Sequence, residues 1–172
     1  AGFNIQNLGP KISYDNDNLN NNFLPANLKI GTGFDFILDD YNKVSLNVEL
    51  NKLLVPTPQD PDLNGDGTVT SEERNLNNDN YQSIGWTSGI FKSFGDAPGG
   101  FSEELKEVAY AVGAEYLYQD SFAMRLGYFN ESPLKGARRF LSLGAGFKYN
   151  VVKVDVSYLF SASKVKNPLE NT

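Results

Sequence analysis

The segment 62–73, DLNGDGTVTSEE, places oxygen-bearing residues at the spacing a calcium ion requires. Calcium takes six to eight oxygens in flexible geometry, and a twelve-residue loop supplies them from positions 1, 3, 5, 7, 9 and 12 around a glycine at position 6. Those positions hold Asp62, Asn64, Asp66, Thr68 through its backbone carbonyl, Thr70 by way of water, and Glu73 as a bidentate carboxylate, with Gly67 at the turn. Every position fits the pattern. The competing reading is an ordinary turn, because the neighbouring NLNNDN at 75–80 is just as rich in turn formers. Thr70 and Glu73 also spell a capping box for a short helix. Acids at both ends of the loop around the required glycine favour a weakly bound, structural Ca2+. Pro56, Pro58 and Pro61 exclude an entering helix, so the loop is expected to be a solitary staple in a long connection.

Other chemistry is sparse. Glu103, Glu104 and Glu107 could serve acid–base work, but no nucleophile or second metal site lies near them in sequence, and a solvated loop end is the plainer reading. The 172 residues include no cysteine and no histidine, which excludes disulfides, the usual zinc sites and any Cys or His nucleophile or base. No catalytic residues are expected, and the chain is read as a non-enzyme. A net charge of −6 without a basic run argues against nucleic acid as a partner. No run of about eighteen apolar residues exists, so no transmembrane helix is expected. The length suits one domain, 1–172. The chain opens in mid-strand at AGFNIQNLG and ends at NPLENT without a closing element, which suggests a piece of a longer protein.

The elements that must position the loop are strands. Period-two alternation predicts strands at 1–8, 28–38, 44–51, 107–118, 122–129, 140–149 and 151–161. In LKIGTGFDFIL, Leu28, Ile30, Thr32, Phe34, Phe36 and Leu38 face one way, and Lys29, Gly31, Gly33 and Asp35 the other. A single helix is expected within 87–95, where Ile90, Phe91 and Phe94 share a face. Short turns at 39–43, 119–121 and about 150 alternate with longer connections at 9–27, 56–106 and 130–139. One tight rim and one elaborate rim is the pattern of an outer-membrane barrel with short periplasmic turns and long extracellular loops.

Alternation alone does not say whether the apolar face points into a core, as in a soluble lipocalin-like barrel, or out into lipid. Two features favour lipid. The opposite face is rich in small residues (Gly31, Gly33, Gly113, Gly127, Gly144 and Gly146), and tyrosines gather near strand ends, as an interfacial girdle would require. A sheet in hydrocarbon must close, so seven strands are incomplete. The charged residues of the small face, Lys29, Asp35, Glu49, Glu107, Glu115, Arg125, Lys148, Lys153 and Asp155, could line a substrate path, but a mutually paired network solvated by lumen water is the favoured expectation. The basic loop SPLKGARR, with Lys135, Arg138 and Arg139, is either a lipid-phosphate contact or an ordinary solvated loop.

GIFKSFGDAPGGFSEELKEV at 89–108, with GAEYLY, FAMRLGYFNE and LSLGAGFKYNVVKVDVSYL after it, resembles the PorV family of outer-membrane barrels of the type IX secretion system. The resemblance runs over most of the chain, is densest in 89–172 and is most specific at SFGDAPGGFSEE. It implies an all-β, antiparallel, up-and-down transmembrane barrel of the FadL-like kind with fourteen strands, of which this chain is roughly the C-terminal half. It also implies a role without catalysis: association with the large translocon barrel, acceptance of exported substrates bearing a C-terminal signal domain, and their delivery to the sortase-like surface attachment complex. The implied setting is the Gram-negative outer membrane, with its bilayer and lipopolysaccharide as surroundings. The calcium loop is not part of that likeness and rests on spacing alone. The rival readings are a FadL-like transporter of small hydrophobic ligands, a soluble calcium-binding β-domain of the envelope and, more distantly, a lipid A-modifying enzyme, for which no G-x-S-x-G motif is present.

Overall fold

The computed structural model describes residues 1–13, 21–133 and 135–163. Part of the expected 9–27 loop, and the NPLENT ending expected to approach a further strand, lie outside the described residues. The chain divides into two compact units, Ala1–Phe3 with Lys29–Asn51 and Lys106–Thr172, and Asn4–Leu28 with Lys52–Leu105.

In chain order the elements are β1 (Gly2–Gln6), β2 (Ile12–Ser13), β3 (Asn21–Asn22), β4 (Asn27–Ile37), β5 (Asn42–Leu53), α1 (Ser71–Ser83), α2 (Trp86–Lys92), α3 (Phe101–Glu104), β6 (Val108–Tyr118), β7 (Phe122–Asn130), β8 (Arg139–Tyr149) and β9 (Val152–Ser161). Seven strands form one sheet in the order β1-β4-β5-β6-β7-β8-β9, and β2 pairs with β3 separately. All seven expected strands are present, each close to its expected bounds. No helix among the described residues is long and apolar enough to cross a membrane, which says nothing of crossing by strands.

The first unit follows the two-residue repeat across neighbouring strands. The antiparallel registers align Ala114, Leu126, Leu143 and Tyr158 in one row, and Tyr116, Met124, Ala145 and Val156 in the next row of the same face. Offset by one residue, the other face aligns Gly113, Gly127, Ser142 and Leu159, then Glu115, Arg125, Gly144 and Ser157. The apolar face is uncovered: Met124, Phe147 and Val156 keep 56%, 55% and 67% of their surface. Buried hydrophobic side chains in these strands, Ala109, Ala123 and Phe140, lie on the small-residue face. A soluble barrel would bury the large residues and expose the other face.

Tight turns set this register. Asp39 accepts hydrogen bonds from the Tyr41 and Asn42 backbone N–H groups at 2.8 Å each and from the Asn42 amide. These bonds favour its ionised form and hold its carboxyl below the usual range. Gln119 and Asp120 both have positive φ, 50° and 52°, and Asn150 has φ 54°, the left-handed geometry that two-residue hairpin turns require.

The second unit has a different construction. Gly89 of α2 and Ser93 at its C-cap, one helical turn apart, are buried, and a Cβ on Gly89 would come within 2.8 Å of the Phe23 ring. Phe91 and Phe94, expected to share a helical face with Ile90, are exposed, and Phe94 lies beyond the end of α2. The expectation of a single helix is also corrected. The 13-residue α1 lacks an apolar stripe and buries no residue, so periodicity does not announce it; its start is fixed by the Thr70–Glu73 capping box.

Candidate functional site

The 62–73 loop leads directly into α1. Asp62 accepts hydrogen bonds from the Gly65 and Gly67 backbone N–H groups at 2.8 Å each, through its two oxygens. Asn64 and Asp66 each accept from the N–H two residues on, that of Asp66 at 2.8 Å and that of Thr68 at 2.7 Å. Gly65 and Gly67 take positive φ, 73° and 82°, where a side chain would be strained. The chain is thereby wound into a tight turn.

Glu73 ties the end of the loop back to its start. One oxygen accepts from the Thr70 backbone N–H at 2.9 Å and the Thr70 hydroxyl at 2.7 Å, and the other from the Asn64 N–H at 3.3 Å. Hydrogen bonds from Thr70 are the main cause holding its carboxyl below the usual range, while the charge of Asp62 opposes them. The six expected donor residues, Asp62, Asn64, Asp66, Thr68, Thr70 and Glu73, fall within this turn and the first residues of α1. Only three carry carboxylates, and among the described residues no three Asp, Glu, His or Cys side chains form a metal cluster. The donor set is mixed oxygen, suited to calcium and not to a transition metal.

The three glutamates do not act together. Glu103 accepts from the Gly99 N–H at 2.7 Å. Glu104 is buried, ion-paired with Lys52 at 3.1 Å, and accepts the Ala97 N–H at 2.8 Å. Glu107 pairs with Lys135 at 2.8 Å. Each has a structural partner, which disperses the expected carboxylate cluster. The buried Lys52–Glu104 pair is absent from the sequence reading. Its signal was available: Lys52 continues the alternate row Val44, Leu46, Val48, Leu50, where a charge calls for a partner.

On the small-residue face part of the expected network is present, around Arg125, while Lys29 and Glu49 stand apart from it and Glu107 pairs with Lys135 of the 130–139 loop. Arg125 pairs with Glu115 at 2.5 Å and with Asp155 at 2.6 Å, Lys153 joins Asp155 at 3.2 Å, and Lys29 lies 3.8 Å from Glu49. Gly146 makes room for it, since a Cβ there would crowd both Asp155 and Arg125. In the 130–139 loop, Arg138 grips Glu131 with two bonds of 2.7 and 2.9 Å. With Lys135 on Glu107, two of its basic groups are neutralised within the protein, as in an ordinary solvated loop.

Residues 1–60 match the family model described as Type IX secretion system protein PorV. The resemblance is borne out. No curated protein matches the chain. The PorV match covers β1 to β5 and the prolines after them, whereas the segments that carry the sequence likeness are densest in 89–172. The PorV match supports a role in type IX secretion and suggests an outer-membrane component, and the largely antiparallel β-structure fits it.

Proposed function

We propose that the chain is part of a non-enzymatic outer-membrane barrel of type IX secretion. The whole would be a FadL-like barrel of fourteen strands that docks on the translocon barrel, accepts substrates with C-terminal signal domains and passes them to the surface attachment complex. The observation that carries the reading is the PorV match over residues 1–60. The uncovered apolar face of β6–β9 supports a lipid setting, with the 56–106 segment on the cell surface.

The 62–73 loop would hold a calcium ion through Asp62, Asn64, Asp66, the Thr68 carbonyl, water on Thr70, and Glu73. The ion would cancel the repulsion between Asp62 and Glu73 and stiffen the loop for docking. Weak affinity, around 10⁻⁴ to 10⁻³ M, suits an extracellular module. Calorimetry on the full-length protein should show one calcium site, lost in the D62N/E73Q double variant; undiminished binding in that variant would remove the assignment.

A FadL-like transporter is the second reading. It is favoured by a groove of about 600 Å³ on the small-residue face, lined by Gly31, Gly33, Gly113, Gly127, Phe129 and Phe140 among others. Purification of the tagged full-length protein in mild detergent separates the two. A translocon barrel and signal-domain proteins in the eluate support the adaptor, and their loss with chelator links calcium to docking. A lone barrel carrying lipid supports the transporter.

A further inference from the structure

Asn64 and Gly65 form the one Asn-Gly pair in the 172 residues. In such a pair the main-chain nitrogen of the glycine can attack the asparagine carboxamide and close a five-membered succinimide, because the second residue has no side chain to obstruct the ring. Both residues are exposed, and a Cβ built on Gly65 meets nothing within 4 Å. The reacting segment is open to water and unhindered.

Each reacting group also has a partner suited to the step. The nucleophile is the Gly65 nitrogen, whose N–H donates to Asp62 Oδ1 at 2.8 Å. The electrophile is Cγ of Asn64, whose oxygen accepts the Asp66 N–H at 2.8 Å. That second bond folds the carboxamide forward along the chain, past the Gly65 peptide that lies between the two bonded residues. It also puts a donor on the oxygen that gathers negative charge when the nitrogen adds. The other oxygen of Asp62 accepts the Gly67 N–H at 2.8 Å, which fixes the carboxylate where the Gly65 proton must go. Hydrogen-bond reach between a base and the proton it removes is the first requirement of general-base catalysis.

We propose that Asn64 is a site of self-modification, at which Gly65 displaces ammonia from the Asn64 side chain with Asp62 as the proton carrier. The Gly65 nitrogen bonds to Asn64 Cγ as its proton passes to Asp62. The bond from Cγ to Nδ2 then breaks, and Nδ2 takes that proton and leaves as ammonia. Water opens the imide at either carbonyl, so one water is consumed and one ammonia released. One opening leaves aspartate, which adds a carboxylate at an expected calcium-donor position. The other leaves isoaspartate, which lengthens the main chain by one carbon and breaks the 62–73 spacing. The modification stands apart from the calcium reading, and one consequence rests on it: an ion on Asp62 competes with the incoming proton for the same carboxylate and slows the reaction.

The test incubates the full-length protein in neutral buffer with chelator and maps its peptides by mass spectrometry, with isoaspartate scored by electron-transfer fragmentation. Asn64 should convert ahead of other asparagines such as Asn77 and Asn80, and should yield both products. D62N keeps an acceptor for the Gly65 N–H but is no longer a base, and should slow conversion about tenfold or more. D60N removes the same charge two residues away and should leave the rate unchanged, with hydrogen exchange over 62–73 checking that each variant keeps the turn. Independently of any variant, conversion in the folded protein should exceed that in guanidinium, where the Asp62 contact is lost. Conversion no faster than in guanidinium, or equal rates in D62N and D60N, would overturn the proposal. Calcium separates the two readings. Conversion of Asn64 with no calcium site by calorimetry supports the proposal and rejects the calcium reading, whereas a calcium site with Asn64 intact in chelator rejects the proposal alone.

Discussion

In β7 and most of β8 a residue's exposure is governed by its parity along the strand, whereas in Lys52–Leu105 it is governed by individual contacts. Large apolar residues stand exposed in both. In the strands they do so in rows, Leu126 beside Leu143 and Tyr158. In the second unit Phe91 and Phe101 keep 79% and 77% of their surface with no such order. What is buried differs more. The sheet tucks in alanines and glycines around a part-exposed charge network, while the second unit buries Pro56, Ser93 and the Lys52–Glu104 pair. A hydrogen-bonded ladder tolerates changes that keep parity; a unit held by a few specific contacts fails when one is removed.

The largest expected effect lies in the second unit. E104Q leaves Lys52 charged and without its carboxylate, and breaking a buried pair costs about 3–5 kcal/mol. Hydrogen exchange and limited proteolysis within 54–105 should accelerate strongly, with β6–β9 unchanged. The K52M/E104L variant should recover much of the loss, and equal damage from the single and double changes would refute the pairing argument.

Next is parity in the sheet. V156R puts a charge on the apolar face and should cost about 2–4 kcal/mol if that face meets hydrocarbon, read as reduced folding into lipid vesicles. S157R, one residue on, faces the other way and should cost far less. Equal effects would mean that the apolar face does not meet lipid.

A smaller effect is expected at Gly146. G146V drives a side chain into the Arg125–Asp155 contact and should cost about 1–3 kcal/mol, whereas the change at Gly2, where added atoms meet nothing within 4 Å, should be neutral in the same unfolding assay.

The smallest effect concerns the helix start. T70A removes the cap and should cost about 1 kcal/mol, seen as faster exchange over 71–77. Because hydrogen bonds to the carboxylate lower Glu73's folded pKa below its ordinary 4.5, the cap's contribution is complete above that value. It disappears as pH falls through the lower folded value. Acid fraying of α1 that persists unchanged in E73Q would place its cause elsewhere.

These contrasts explain what the sequence disclosed. The seven strands, their turns and the paired charges were legible because Val, Leu and Tyr alternate with Gly and Ser over whole strands. The α1 helix was not, since SEERNLNNDNYQS carries no apolar stripe, and only Thr70 and Glu73 marked its beginning. The buried contact of α2 was not legible, because it is made by Gly89 while Phe91 stands exposed. The donor spacing of the 62–73 loop was plain.

One feature of the sheet bears on how it assembles. β6, β7, β8 and β9 join by short connections at 119–121, 131–138 and 150–151, but β5 and β6, neighbours in the sheet, are separated by 54–107. Closing a loop of that length costs roughly 2–3 kcal/mol more in chain entropy than closing a tight turn. The β6–β9 meander therefore has the means to form first, as local hairpins on the microsecond scale. The β5–β6 seam would form later, and faster once 54–105 has condensed and drawn its own ends together.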